Sequence, residues 1–294
     1  MVLERQTRRR ARPHIMALRR LAASPARAIA RTCVVTRAYA SASSPFDAHG
    51  AEVDALRVEL TAQCDAAIAR GDKLNWVFLG APGVGKGTYA SRMAKLMGVP
   101  HIAMGDLVRG EIKEGTARGK EMQALAASGK LVPDGLVLDI LRARIERGAK
   151  DGERGFLLDG FPRTVPQAET LGTMVEVTRA LNLTLREDIL VEKCCGRREC
   201  GECGKSFNIA DIKSVVPGGP TIIMPPLNPP EGCFGKLTQR ADDTEDVVKA
   251  RLEVYKKSTI PVEDFYRSKG LLSDFAIMGG IPETTPVLLR HIID

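Results

Sequence analysis

The sequence has no long apolar run. No stretch approaches the ~18 consecutive hydrophobic residues that a transmembrane helix needs. The sequence therefore predicts a soluble protein and not a membrane-spanning one. Of the 294 residues, 44% are hydrophobic and 27% are charged. These are ordinary globular values, and they exclude a disordered or collagen-like chain. The length allows one large domain or two modest ones.

Acidic residues and lysine are nearly absent from the first 45 residues. This segment holds ten arginines, no lysine and one acid, Glu4, a net charge of +9, whereas the remainder holds 33 basic and 35 acidic residues, a net charge of −2. The basic excess therefore belongs to a terminal tag and not to a nucleic-acid-binding face. An Arg-, Ala- and Ser-rich segment without acids is typical of an organellar transit peptide, which we predict over residues 1–40. A mitochondrial destination is preferred, because residues 37–41 are similar to a mitochondrial processing site, and a plastid is the alternative.

Residues 41–73 are predicted to be an extension of unknown function, followed by a core over residues 74–294. The extension has helical periodicity over residues 53–69, and Gly71 ends it. The chain has seven cysteines. Both candidate organelles are reducing, so these cysteines do not predict a disulfide framework.

A glycine-rich segment lies between a predicted strand, residues 76–79, and a predicted helix, residues 89–97; its sequence is GAPGVGKGT. Glycines let backbone amides face phosphate oxygens, the helix N-terminus adds a positive field, and Lys86 supplies a charge for the β- and γ-phosphates. The usual loop has Ser or Thr directly after the lysine, whereas here Gly87 precedes Thr88. The predicted ATP-binding residues of this loop are Gly83, Val84, Gly85, Lys86, Gly87 and Thr88.

Residues suited to anions recur well beyond this loop. Arg109 lies one turn into a predicted helix, Arg163 follows a second buried strand, and Arg240 and Arg251 are eleven residues apart, about three helical turns. Phosphoryl transfer between two nucleotides brings several phosphates into one cavity, where arginines stabilise the spreading charge. Such transfer requires no general base, and no Ser-His-Asp set stands out. His101 is predicted to be structural.

Taken in order, these motifs resemble those of the adenylate kinase family. They are GAPGVGKGT, the GDxxR segment at 105–109, LVPDG, DGFPRT, GRR, RADD and Arg251, and the resemblance covers residues 74–294. The ending GGIPE, the NIADI segment and the insert before Cys233 are similar to plant and algal organellar members with a long lid. The resemblance implies the P-loop nucleoside monophosphate kinase fold, an α/β fold with a five-stranded parallel sheet flanked by helices. It also implies an AMP-binding flap at about 103–132 and a lid at about 194–243.

The same resemblance implies the reversible reaction ATP + AMP = 2 ADP, by direct in-line transfer with Mg²⁺ carried by ATP and held through water by Asp159. The catalytic residues implied are Lys86, Asp159, Arg163, Arg197, Arg240 and Arg251. The ATP-binding residues implied outside the phosphate loop are Arg197, Ser206, Phe207 and Gly280. The AMP-binding residues implied are Met104, Arg109, Lys130, Leu131, Val132, Gly160, Phe161, Pro162, Arg163, Gln167, Arg240 and Arg251. The Gln167 amide suits the adenine edge.

Two positions depart from the family pattern. Met104 stands where a threonine is usual, so a hydroxyl contact to AMP is absent. Lys193 stands where many members have an arginine over the ATP base or phosphates. Lysine lacks the planar guanidinium fork, so we expect weaker stacking there.

The lid cysteines are similar to half of a zinc site. Cys200 and Cys203 form a CxxC pair, and Cys233 follows after a Pro- and Gly-rich insert, with Lys236 at the expected fourth position. Three thiolates and a lysine do not close a tetrahedral site, although Cys194 or Cys195 could substitute. We therefore predict no structural zinc.

Several alternatives remain open within and beyond this family. A GTP:AMP phosphotransferase shares the fold and the compartment, and a UMP/CMP kinase is disfavoured by the long lid and Gln167. A nucleotide-binding regulator without turnover would have no use for the transition-state charges at Asp159, Arg163, Arg240 and Arg251. The predicted partners are ATP, AMP and ADP, with no nucleic acid and no membrane, and the expected state is a monomer.

Overall fold

The computed structural model describes residues 50–127, 133–215 and 221–294. The predicted transit peptide lies outside these ranges, as do Lys130, Leu131 and Val132 of the predicted AMP site. Within the described ranges, no helix is both long enough and apolar enough to cross a membrane.

A parallel sheet of five strands forms the centre of the fold. The strands are β1 (Leu74–Gly80), β2 (His101–Ala103), β3 (Gly155–Asp159), β4 (Arg179–Thr184) and β10 (Leu272–Ala276), in the spatial order β10-β4-β1-β3-β2. All four pairings are parallel. Every residue of β1 is buried, with Trp76 and Phe78 in one hydrophobic cluster and Val77 and Leu79 in another, because strand side chains alternate between faces. The predicted sheet is confirmed.

Helices cover both faces of this sheet. The helices of the described ranges are α1 (Gly50–Ala69), α2 (Lys86–Met97), α3 (Met104–Glu114), α4 (Ala117–Ala127), α5 (Asp134–Lys150), α6 (Val165–Met174), α7 (Glu187–Cys195), α8 (Glu245–Ser258), α9 (Ile260–Ser268) and α10 (Ile281–Ile293). One hydrophobic cluster includes residues of α1, α2 and α10, and the other includes residues of α5, α6 and α9.

Helix α1 lies in the segment that the sequence analysis treats as an extension. Val53, Leu60 and Cys64 are buried in the same cluster as residues of α2 and α10. The Thr61 hydroxyl donates to the Leu96 carbonyl at 3.1 Å, which joins α1 to the last turn of α2. The helix is therefore part of the packed core, and the core begins before residue 74.

The described part of the predicted lid range contains five short strands outside the main sheet. β5 (Arg197–Cys200), β6 (Ser206–Asn208) and β9 (Leu237–Thr238) form one antiparallel sheet, and β7 (Ile212–Ser214) pairs with β8 (Ile222–Met224). The three-stranded part has its own small core, in which Cys200, Phe207 and Cys233 are buried. The β7–β8 pair instead buries Ile212, Ile222 and Met224 in the hydrophobic cluster that includes residues of α1, α2 and α10. The roles of the lid and of the AMP-binding flap stay predictions.

Candidate active site

The phosphate loop connects the carboxyl end of β1 to the first turn of α2. Gly83 and Gly85 have φ values of 86° and 106°, a region that residues with side chains rarely adopt. A Cβ at Gly83 would lie 2.4 Å from Cys194 Sγ, so the loop runs too close to α7 for a side chain. The glycines therefore permit a tight loop that ends at a helix N-terminus, where the helix dipole attracts anions.

Lys86 begins α2, and its side chain folds back over the loop. Its Nζ donates to the carbonyl oxygens of Gly80 at 2.7 Å and of Ala81 at 3.0 Å. Burial lowers the pKa of Lys86 to about 8, although the nearby Asp159 carboxylate opposes the shift. Both hydrogen-bond partners of Lys86 are neutral carbonyl groups. A bound phosphate is negatively charged, so it would stabilise the protonated amine far more than these carbonyls do.

Asp159 ends β3, the strand beside β1. Its Oδ2 lies 3.6 Å from His101 Nε2, and a Cβ at Gly87 would approach this oxygen to 3.4 Å. Asp159, Arg163 and Arg251 all act electrostatically on Lys86. Four of the predicted catalytic residues thus converge at the carboxyl edge of the sheet, where parallel α/β folds bind ligands.

Lys193 also reaches the phosphate loop, from the last turn of α7. Its Nζ lies 3.4 Å from the Val84 carbonyl oxygen and would lie 3.9 Å from a Cβ at Gly85. Burial lowers the pKa of Lys193 to about 8, as it does for Lys86. From the sequence, this lysine is expected only to stack weakly, and it is absent from the predicted site. The signal available was its place in the family pattern, where many members have an arginine over the ATP base or phosphates.

The predicted AMP site contains a buried amide network. Gln167 Oε1 accepts a hydrogen bond from the Arg163 backbone at 2.8 Å, and Gln167 Nε2 donates to Asp134 Oδ1 at 2.7 Å. Thr164 caps α6 by accepting from the Gln167 backbone at 3.4 Å. The Gln167 amide is thus held by its neighbours and keeps one N–H and one lone pair for a base. Sequence reasoning missed Asp134, although it stands in the LVPDG motif.

Four arginines of the predicted site are paired with carboxylates. Asp243 is fully buried and receives two bonds from the Arg197 guanidinium, one of them at 2.8 Å, whereas the Arg109 pair is exposed on α3. A phosphate, like a carboxylate, accepts hydrogen bonds from a guanidinium group. A nucleotide phosphate could therefore replace the carboxylate in each pair. The pairs are Arg109 with Asp106, Arg197 with Asp243, Arg240 with Glu199 and Arg251 with Asp242. The RADD motif could have pointed to two of these carboxylates.

Other predicted site residues lie in varied surroundings. Met104 and Phe161 are buried at 4% and 2% exposure, so their side chains belong to the core. Phe207 packs in the small lid core, whereas Ser206 is exposed beside it. Gly280 precedes α10, close to the Glu283 carboxylate. Pro162 is buried, and Gly160 has a φ of 80° where β3 ends.

The lid cysteines come together in space. The sulfurs of Cys200, Cys203 and Cys233 lie within 4.8 Å of one another, and Cys203 and Cys233 are 3.6 Å apart. Cys194 and Cys195 lie at the end of α7 and are not members of this group. Neither therefore supplies the fourth ligand that the sequence analysis considered. The absence of structural zinc stays a prediction.

The parallel sheet, the glycine-rich loop after its central strand and the lysine on that loop define a P-loop nucleotide-binding α/β protein. Residues 78–271 match the family model described as adenylate kinase. Adenylate kinases are nucleoside monophosphate kinases, so the match assigns the chain to that class.

Named relatives support the same assignment. The chain is 52% identical over 229 residues to "Probable adenylate kinase 1, chloroplastic" of Oryza sativa subsp. japonica, covering 77% of this chain and 78% of the relative. It is 48% identical over 260 residues to the adenylate kinase of Solanum tuberosum, covering 88% and 85%. It is 42% identical over 212 residues to that of Thermodesulfovibrio yellowstonii, covering 70% and 93%.

The chain belongs to the adenylate kinase family. It is a phosphotransferase that acts on nucleotides, and the family, fold and activity predicted from the sequence are confirmed. The roles of the individual residues stay predictions.

Proposed function

We propose that the protein transfers the γ-phosphoryl group of ATP directly to AMP, with the residue roles set out below. An AMP phosphate oxygen attacks the γ-phosphorus, the bond to the β–γ bridging oxygen breaks, and two ADP molecules result. The observation that carries the proposal is the convergence of Lys86, Asp159, Arg163 and Arg251 at one edge of the sheet. Three cations and one carboxylate there suit a centre that neutralises phosphate charge and needs no general base.

The donor site is proposed to lie along the phosphate loop. The backbone from Gly83 to Thr88 would surround the ATP phosphates, with Lys86 leaving the Gly80 carbonyl to meet them. Arg197 would add a guanidinium from the lid side. Lys193 stands close enough to the loop to supply a further positive charge.

We propose that the acceptor site lies between the carboxyl end of β3 and helix α3. Arg109 would exchange Asp106 for the AMP phosphate, and Gln167, oriented by Asp134, would contact the adenine. The proposed AMP site also includes Lys130, Leu131 and Val132, which lie outside the described residues. Arg240 and Arg251 would hold the phosphates between the two nucleotides.

The donor set suits Mg²⁺. Hard cations prefer oxygen ligands, and the Asp159 carboxylate lies beside Gly87 of the phosphate loop. We propose that Asp159 holds the ion through water. When bound, Mg²⁺ supplies positive charge to the β- and γ-phosphates, which favours the departure of ADP.

A panel of donors and acceptors tests the activity. The full-length chain should use ATP with AMP far better than GTP with AMP or ATP with UMP or CMP, in a coupled assay of ADP formation. Preference for GTP would support a GTP:AMP phosphotransferase, and preference for UMP or CMP would support the pyrimidine kinase alternative.

Two substitutions test the residue roles. Lys86→Met and Arg163→Ala should lower kcat by ~10²–10⁴, because both cations are proposed to meet charge that shifts during transfer. Circular dichroism of each variant checks folding. A folded Lys86→Met protein with near-normal kcat would contradict the proposed role of the loop.

We further propose a plastid location and a monomer. The rice relative and two relatives of Arabidopsis thaliana are named chloroplastic, so the preference for a mitochondrion gives way to the plastid alternative. The monomer is proposed from the resemblance to the adenylate kinase family. N-terminal sequencing of protein from isolated plastids should find a start near Ala40, and the intact Met1 end would argue against import.

A further inference from the structure

The lid contains a site that nucleotide chemistry does not explain. Cys200 lies at the end of β5, Cys203 in the turn after it, and Cys233 thirty residues later, yet their sulfurs lie within 4.8 Å of one another. A metal bonded to sulfur at about 2.3 Å would separate the sulfurs of one coordination sphere by roughly 4 Å. Cys200 and Cys233 are buried and Cys203 is exposed, so the group opens to solvent on one side.

The backbone around these sulfurs is built from two similar turns. Gly204, after the first pair, has a φ of 66°, and Gly235, after Cys233, has a φ of 77°. The Gly204 amide donates to the Cys200 carbonyl oxygen at 2.9 Å, and the Lys236 amide donates to the Cys233 carbonyl oxygen at 3.2 Å. Backbone hydrogen bonds therefore hold both turns beside the three sulfurs.

Within the part of the chain that the structure describes, no side chain supplies the fourth ligand of a tetrahedral site. The Lys236 backbone lies next to the group, since its carbonyl oxygen accepts from the Gly201 amide at 3.0 Å. Its side chain turns away, however, and Nζ donates to Glu202 Oε2 at 2.8 Å. An ammonium has no lone pair for a metal. A structural zinc ion requires four protein ligands, so zinc does not fit this group.

We infer that Cys200, Cys203 and Cys233 form a three-thiolate site for a soft metal ion of the monovalent-copper class, which accepts three sulfur ligands. Soft thiolates favour such ions, and no fourth protein ligand is needed. A disulfide would use two of the sulfurs and leave the third without a role. Binding would release the thiol protons and join the turn at 200–204 to the segment at 233–236 across the small lid core, in which Phe207 is buried with Cys200 and Cys233.

The test uses the full-length reduced chain and Cu(I), without oxygen, in competition with the chromophoric chelator bicinchoninate. One Cu(I) per chain should bind, and three fewer thiols should react with iodoacetamide in the loaded protein. Cys203→Ser should weaken Cu(I) binding by more than the 10–100-fold that loss of an outer-shell partner costs. Cys64→Ser, on α1, is the matched control and should bind Cu(I) as the unsubstituted chain does.

Three results would overturn the inference. The first is a Cu(I) affinity for Cys203→Ser within threefold of that of the unsubstituted chain. The second is a disulfide between two of these cysteines in protein purified in the presence of reductant. The third is a tetrahedral four-ligand Co(II) spectrum, or one zinc per chain, in the unsubstituted protein. That spectrum is expected only after K236C supplies the missing thiolate. The inference does not depend on the proposed function, since binding is measured without nucleotide.

Discussion

Binding of the donor nucleotide should take up protons at alkaline pH. Burial lowers the pKa of Lys86 and of Lys193 from 10.5 to about 8, so at pH 9 about nine-tenths of each side chain is neutral in the free protein. A polyphosphate beside either amine restores its ordinary pKa or raises it further. Each lysine therefore gains about 0.9 proton when nucleotide binds, and the two together gain about 1.8.

The same linkage sets the size of the affinity change. The bound state holds more protons than the free state, so affinity falls as pH rises through 8. Between pH 7 and pH 9 the dissociation constant should rise about tenfold for each lysine in contact with phosphate, or about 1.4 kcal/mol. The phosphates contribute little, because a phosphate with a second pKa near 6 is about nine-tenths ionised at pH 7 and essentially fully ionised at pH 9.

Titration calorimetry with the β,γ-imido analogue of ATP measures this uptake. At pH 9 the apparent binding enthalpy, plotted against the ionisation enthalpy of several buffers, has a slope equal to the number of protons taken up. Lys193→Met should lower the slope from about 1.8 to about 0.9, because one titrating amine is lost. Lys213→Met, at an exposed lysine of the lid, is the control and should leave the slope unchanged. A slope near zero in the unsubstituted chain would refute the argument.

Three further results are expected. Arg197→Leu should lower the free energy of unfolding by about 3–5 kcal/mol in urea denaturation, because it leaves the fully buried Asp243 carboxylate unpaired; a loss below 1 kcal/mol would show that water reaches it. Arg109→Ala should raise the KM for AMP much more than it lowers kcat, since a contact made equally in both states does not accelerate transfer, and a loss confined to kcat would contradict the assignment. Leu60→Ala should cost about 2–5 kcal/mol in the same denaturation assay and Val58→Ala under ~0.5, because Leu60 is buried in the core and Val58 is 70% exposed; equal effects would mean that α1 does not belong to the core.

The sequence predicts well the features that depend on residues close together in the chain. The phosphate loop is a contiguous motif, and its glycines occupy backbone conformations that few other residues adopt. The strands before Gly80 and Gly160 are short apolar runs, and their parallel arrangement follows from their alternation with helices. The family motifs then predicted the number of strands, which periodicity alone could not.

The features that the sequence does not predict depend on residues distant along the chain. The periodicity of α1 predicted a helix but not its packing against α10, more than two hundred residues later. The position of Lys193 over the phosphate loop depends on how α7 docks on the sheet. Cys233 reaches Cys200 only through the folding of a long insert. Spacing alone carried no information about these distances.

The cations of the candidate site fall into two physical classes, and the classes predict different responses of the two nucleotides. The amines of Lys86 and Lys193 contact backbone carbonyl oxygens, and the pKa values of both lysines are lowered by burial. An incoming phosphate would therefore raise the protonated fraction of each amine. Arg109, in contrast, is paired with Asp106, and guanidinium groups keep their proton throughout the working range, so AMP would exchange one anion for another. Donor affinity should therefore fall between pH 7 and pH 9 while acceptor affinity stays level. An acceptor affinity that fell in parallel with the donor affinity would mean that the two subsites share a titrating group.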